Sequence, residues 1–177
     1  HSLGRSVVPN PEWGFWRSLA WERDPAWFQG QPERGVPVFY LLDERCDPPT
    51  GMPWALASTD DFVSYTDHGV VLPSGGTDAA DYDCYTGCVI DDGNQLHLFY
   101  TGHNPGRRTA AGDLQVVCHA TSDGDLTQWR KHPDHTFGAP TDYAPEDWRD
   151  PYVYRNGNRR PATASIDALD VARPTTI

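Results

Sequence analysis

Two Arg-Asp-Pro triplets, Arg23-Asp24-Pro25 and Arg149-Asp150-Pro151, stand near opposite ends of the chain, and each leads into strand-like sequence. Proline fixes its own φ and biases the residue before it toward an extended backbone, so each Asp carboxylate is expected on stiff main chain at the start of a strand. Taken singly, either triplet also reads as an Asx turn opening a strand. Brought together by the fold, the two would supply converging carboxylates, the groups that cleavage of a glycosidic bond uses as nucleophile, proton donor and anchors for sugar hydroxyls. His103-Asn104 follows a strand-like run and reads equally as a substrate contact and as a capped turn. The seven Trp, Trp54 among them, offer apolar faces on which sugar rings stack, although core packing is their commoner use. The run Asp78-Ala79-Ala80-Asp81-Tyr82-Asp83 carries carboxylates that could face calcium but more often face water. Ser74-Gly75-Gly76-Thr77 is a turn, without the Lys and following helix of a phosphate loop. No metal and no cofactor is implied.

The elements that must position these groups are strands. Apolar residues rarely recur at helical spacing, and Gly, Pro or Asx clusters interrupt the chain throughout. Short aromatic and β-branched runs are bounded by turn residues: Val36–Leu42, Pro53–Ala57, Tyr85–Ile90, Gln95–Tyr100 and Leu114–Ala120. Asp91-Asp92-Gly93-Asn94 between two of them predicts a hairpin turn. The runs also repeat. Phe39-Tyr40 recurs as Phe99-Tyr100, Ala57-Ser58-Thr59-Asp60 as Ala120-Thr121-Ser122-Asp123, Tyr65 as Trp129 and His68 as His132, at offsets of about 60 to 64 residues. A repeated residue such as His68 or His132 is more often structural than catalytic. Each unit carries the strands of one propeller blade, so the expectation is an all-β, antiparallel β-propeller with Phe39, Tyr40, Phe99 and Tyr100 buried. Propellers close with about four to eight blades, and two are recognisable. Residues 1–154 therefore read as the front part of a larger propeller and 155–177 as an irregular tail, the composition shift fitting either a lost third blade or a natural tail. Open propeller edges predict self-association.

Composition narrows the class of partner. Lys plus Arg number 14 against 25 Asp plus Glu, a net charge of −11 that repels phosphate backbones and excludes nucleic acid as the expected partner. Aromatics at 12% exclude a disordered acidic tail. No apolar run approaches the roughly 18 residues of a membrane span. Neither a charged leader nor an apolar stretch follows His1, which favours a cytoplasmic location, with secretion left open. Cys46, Cys84, Cys88 and Cys118 form no CxxC pair. Cys84 and Cys88, four apart on a strand, are expected on one sheet face about 13 Å apart, beyond disulfide reach and therefore free.

Trp148-Arg149-Asp150-Pro151, with Tyr85-Thr86-Gly87-Cys88 and Leu98-Phe99-Tyr100-Thr101-Gly102 before it, resembles glycoside hydrolase family 32, five-bladed β-propeller enzymes that cleave fructosides such as sucrose, inulin and levan. The resemblance runs from about Arg23 to Tyr154. It implies a retaining glycosidase acting on an oligosaccharide or fructoside. Asp24 falls on the nucleophile of the family's first motif, of which only Asp-Pro is kept. Asp150 falls on the carboxylate that grips the fructosyl hydroxyls, with Arg149 beside it. Tyr85 and Thr86 fall on the hydroxyl-contacting Phe-Ser-Gly-Ser segment; His103, Asn104 and Trp54 complete the candidate substrate contacts. The family's general acid is a Glu some tens of residues beyond the Arg-Asp-Pro, and no Glu follows Glu146 here. The alternatives are a non-catalytic carbohydrate-binding propeller and an arabinan- or xylan-cleaving relative of family 43.

Overall fold

The runs expected to be extended form strands in a computed structural model, which describes residues 21–22, 35–42, 50–108, 110, 112–155 and 169–172. They are β1 (Trp21–Glu22), β2 (Val36–Leu41), β3 (Trp54–Thr59), β4 (Thr66–Leu72), β5 (Asp83–Asp91), β6 (Leu96–Arg108), β7 (Asp113–Ser122), β8 (Arg130–Lys131), β9 (Tyr152–Arg155) and β10 (Leu169–Ala172). Among the described residues the only helical pieces are two 3₁₀ turns, Pro133–His135 and Pro145–Asp147. The strands form three sheets, ordered β2-β3-β4, β1-β5-β6-β7-β8 and β10-β9. Every pairing is antiparallel except the short parallel contact of β1 with β5. The protein is therefore all-β with antiparallel sheets, as expected.

The sequence repeat is a structural repeat. Its first copy makes β2-β3-β4 and its second β6-β7-β8, in the same up-and-down order. Ser58 Oγ lies 2.8 Å from His68 Nε2 in the first, and Thr121 Oγ1 lies 2.8 Å from His132 Nε2, the residue just after β8, in the second, so each copy ties its second strand to the third strand or its end by one hydroxyl–imidazole bond. Phe39, Phe99 and Tyr100 are buried; Tyr40 is only half-buried, because its hydroxyl reaches the exposed Asp67 Oδ1 at 3.1 Å.

β6 is covered on both faces. Side chains alternate across a strand, and Leu96, Leu98 and Tyr100 enter a core with Phe39, Trp54, Leu56, Val71 and Leu72 of the first sheet. Phe99 enters a second core with Cys88, Ile90, Val117, Trp148 and Val153. A strand buried on both faces reads as a continuous apolar run, as Leu96–Tyr100 does except at His97.

A one-residue bulge breaks the β5–β6 ladder. Gly87 opposes Tyr100 and Cys84 opposes Gly102, so Tyr85 and Thr86 together face the single residue Thr101. The bulge corrects the expectation for the thiols. An extra residue inverts the facing of everything beyond it, and Cys84 lies in the first core while Cys88 lies in the second; both are free. Gly87 permits the close approach at the bulge: a Cβ there would drive into the Phe99 carbonyl oxygen and come within 2.6 Å of Tyr100 Cα.

Within the stretch expected to be an irregular tail, the described residues are strand, and the rest of it lies outside the described residues. Arg155 still belongs to β9, and Leu169–Ala172 pair antiparallel with it as β10, Ala172 opposite Tyr152.

Two outcomes follow from this packing. Gly87→Ala meets main chain, which cannot swing aside, and should lower stability by about 2 kcal/mol or more in urea unfolding. Burial of His119, reinforced by neighbouring imidazoles, pulls its pKa down from 6.5 to about 3. The unfolded chain thus takes up a proton below about pH 6.5 that folded His119 refuses until about pH 3, so stability is full above that window and declines as pH falls through it, by at most about 1.4 kcal/mol per pH unit from this group. Urea midpoints at pH 7.5 and pH 5 should show the drop.

Candidate active site

The bulge is held from below by Trp54. Its indole N–H donates to the carbonyl oxygens of Cys84 and Tyr85, at 2.9 and 3.0 Å, and so ties the main chain at the bulge to the first sheet. Trp54 has no exposed surface. Its ring is spent on the first core and its N–H on the bulge, so it acts through Tyr85 and is not itself a surface for sugar.

Above the bulge, Tyr85 lies flat against His103, ring centroids 4.9 Å apart and planes 13° from parallel. His103 Nδ1 sits 2.9 Å from Asp83 Oδ2, directly across the β5–β6 pair. The acidic run that offered a calcium reading is thereby occupied by protein partners at two places. Asp83 holds His103, and Asp81 accepts from the Tyr100 hydroxyl at 2.7 Å and pairs with the Lys131 ammonium. Asn104 is buried, and its side-chain amide donates to the Thr77 and Ala79 carbonyls while its oxygen accepts from the Gly106 N–H. That side chain pins the 77–79 loop to β6 and is a structural clamp.

The Arg149-Asp150-Pro151 segment reaches the same place from the far end of the chain. The Asp150 N–H donates to Thr101 Oγ1 at 2.8 Å, and Thr101 is the residue that Tyr85 and Thr86 oppose across the bulge. Three residues on, the Val153 N–H donates to Cys88 Sγ at 3.2 Å, fastening β9 to β5. Asp150 itself has φ of 58°, in the left-handed region instead of the extended one that the following proline favours. Asp is among the few side chains that tolerate this region, and such outliers concentrate where a fold presents functional groups. Its side chain is exposed. Arg149, also exposed, reaches Asp147 Oδ1 at 3.4 Å, a surface pair that contributes little to stability.

The structure thus gathers Tyr85, Thr86, His103 and the Asp150 main chain around Thr101, while Trp54 and Asn104 lie in supporting positions. Asp24 lies outside the described residues. Thr101 was not among the candidate site residues from the sequence, and Asp83 entered there only in the calcium reading. The Phe-Tyr-Thr-Gly wording contains Thr101, but its hydroxyl matters only because a segment about fifty residues later docks on it. Gln115 Oε1, on β7, and Glu146 Oε2 and Trp148 Nε1, on the segment leading to Arg149, are buried without a hydrogen-bond partner in the protein.

The model of the glycosyl hydrolases family 32 N-terminal domain matches residues 37–168. A sucrose-6-phosphate hydrolase of Vibrio alginolyticus is 32% identical over 105 residues, which cover 59% of this chain and 20% of that protein. The sucrose-6-phosphate hydrolase of Streptococcus mutans is 27% identical over 118 residues, 66% of this chain and 23% of that protein. A family 32 β-fructofuranosidase structure from Bombyx mori aligns with 69% of this chain and 25% of its own, at 22% identity and a TM-score of 0.49. The chain thus spans between a fifth and a quarter of the length of these relatives. With its matched region running from β2 past β9 and containing the bulge, Thr101 and the Arg-Asp-Pro segment, the chain belongs to glycosyl hydrolase family 32.

Proposed function

We propose that the protein is the N-terminal part of a retaining glycosidase that hydrolyses fructosides, sucrose or its 6-phosphate being the substrates its relatives suggest. One observation carries the reading: the Asp150 main chain is bonded to Thr101, opposite the Tyr85-Thr86 bulge, so two motifs about sixty residues apart meet at one point of one strand. Asp150 is the carboxylate that holds fructosyl hydroxyls and favours the positive charge developing at the anomeric carbon. Tyr85, levelled by His103 and Asp83, offers a ring face to the sugar, and Thr86 a hydroxyl. Arg149 adds positive charge at the rim. Asp24 is the nucleophile, attacking the anomeric carbon to give a covalent fructosyl-enzyme that water then resolves. No residue of this chain is assigned as the general acid.

The test is hydrolysis by the whole enzyme of sucrose, sucrose 6-phosphate and arabinan, with the released sugars identified. Fructose release supports the reading. Arabinose release, or binding of glycans without hydrolysis, overturns it. Asp150→Asn keeps a side chain that accepts positive φ, so the variant should unfold within about 0.5 kcal/mol of wild type while turnover falls on the order of 10²-fold or more. Equal turnover in the two would reduce the triplet to a turn.

A further inference from the structure

Four histidines gather at the end of the second sheet away from the bulge, on β6, β7 and the 3₁₀ turn after β8. Asp92 Oδ2, in the β5–β6 turn, lies 3.1 Å from His97 Nε2; His97 Nδ1 lies 3.0 Å from His119 Nε2; His119 Nδ1 lies 2.9 Å from His135 Nδ1. The three rings are nearly coplanar, 6° and 19° between neighbours, with centroids 5.2 Å apart at each step. That spacing is the N···N distance plus the reach from centroid to nitrogen in each ring. The imidazoles therefore meet edge to edge, in line, as hydrogen-bonded rings do. Phe99 lies against a face of His119 at 4.6 Å and His132 at 5.1 Å. His97 and His119 are buried and His135 is exposed.

The end group sets the direction of every bond. A carboxylate only accepts, and a neutral imidazole has one N–H and one lone pair. His97 therefore carries its proton on Nε2 and accepts at Nδ1 from His119 Nε2–H. His119 in turn accepts at Nδ1 from His135 Nδ1–H, which leaves the His135 Nε2 lone pair as the outer terminus. Asp92 keeps its charge: burial works to raise its pKa, but the N–H groups of Gln95 and Asn94 and the His97 ring outweigh that and hold it low. His119 stays neutral, since burial first and then His97, His132 and His135 oppose its protonation. His132 is likewise held down by burial, by Arg130 of β8 and by His135 and His97.

We propose that Asp92, His97, His119 and His135 form a proton wire that takes one proton from solvent at His135 and holds it as an imidazolium at His97 against the Asp92 carboxylate. The incoming proton bonds to His135 Nε2. His135 Nδ1–H breaks as His119 Nδ1–H forms, and His119 Nε2–H breaks as His97 Nδ1–H forms. One proton enters, His97 gains one positive charge, and His119 and His135 end neutral with their tautomers inverted.

The signature is a residue that changes tautomer without changing charge. Ring-nitrogen NMR of the ¹⁵N-labelled protein between pH 8 and pH 5 should show the His119 proton moving from Nε2 to Nδ1 in the same step that makes His97 doubly protonated. A His119 tautomer constant across that range, an imidazolium at His119, or His135 as the sole imidazolium would each overturn the wire. Asp92→Asn retains an oxygen for His97 Nε2–H but loses the charge, and should move the loading midpoint by at least tenfold in proton concentration toward acid. An unmoved midpoint in that variant would overturn the assignment of the held proton to His97. The inversion in the unaltered protein decides the wire itself whether or not the variant folds.

Discussion

A single indole N–H, shared between two carbonyls, is what the rest of the site stands on. The β5–β6 ladder is broken where Tyr85 and Thr86 face one residue, and a break in a ladder frees main-chain groups that cannot stay unpaired inside a protein. Trp54 comes from the neighbouring sheet and bonds two main-chain carbonyls at the break, those of Cys84 and Tyr85. With that bond the bulge is a fixed feature and Tyr85 has a defined height above the strand. His103 can then lie against it, and Asp83 can hold His103. The same indole ring is packed among Phe39 and Tyr100, so the interface between the two repeats and the geometry of the site are set by one side chain.

Strand β6 organises the remainder. One of its faces reads His97, Phe99, Thr101 and His103 in succession, and these four serve different ends. His97 belongs to the histidine row, Phe99 to the second core, Thr101 to the docking of Asp150, and His103 to the support of Tyr85. The other face is plain core, Leu96, Leu98 and Tyr100. Polar residues on a doubly covered strand require partners, and each of these has them within the protein.

Much of the fold was legible in the residues. The aromatic and β-branched runs became strands, and the repeat became two sheets with a matching hydroxyl–imidazole bond. The bulge was not legible, because a one-residue insertion leaves no mark in a pattern of period two until the partner strand is known. Counting back from the Asp91–Asn94 turn opposes Asp83 to Asn104; the bulge moves the partner to His103, and the roles of His103 and Asn104 separate accordingly. Trp54 had the composition of a sugar platform and the burial of a core residue, a difference that only the neighbouring sheet decides. The left-handed Asp150 also escaped reading, since proline argues for the opposite backbone and the Thr101 hydroxyl that competes with it is distant in sequence.

The burial of β6 on both faces has a further meaning for the opening of the native state. Local openings release edges first and centrally paired, fully covered strands last. β4 carries mostly exposed side chains and β8 is two residues long, so these are the places where amide protons meet water early. Leu96–Asn104, nine buried residues in a row with partners on both sides, open only with the whole sheet. Thr101 and His103 belong to that slowest unit, so the outer strands can breathe while the floor of the site keeps its register.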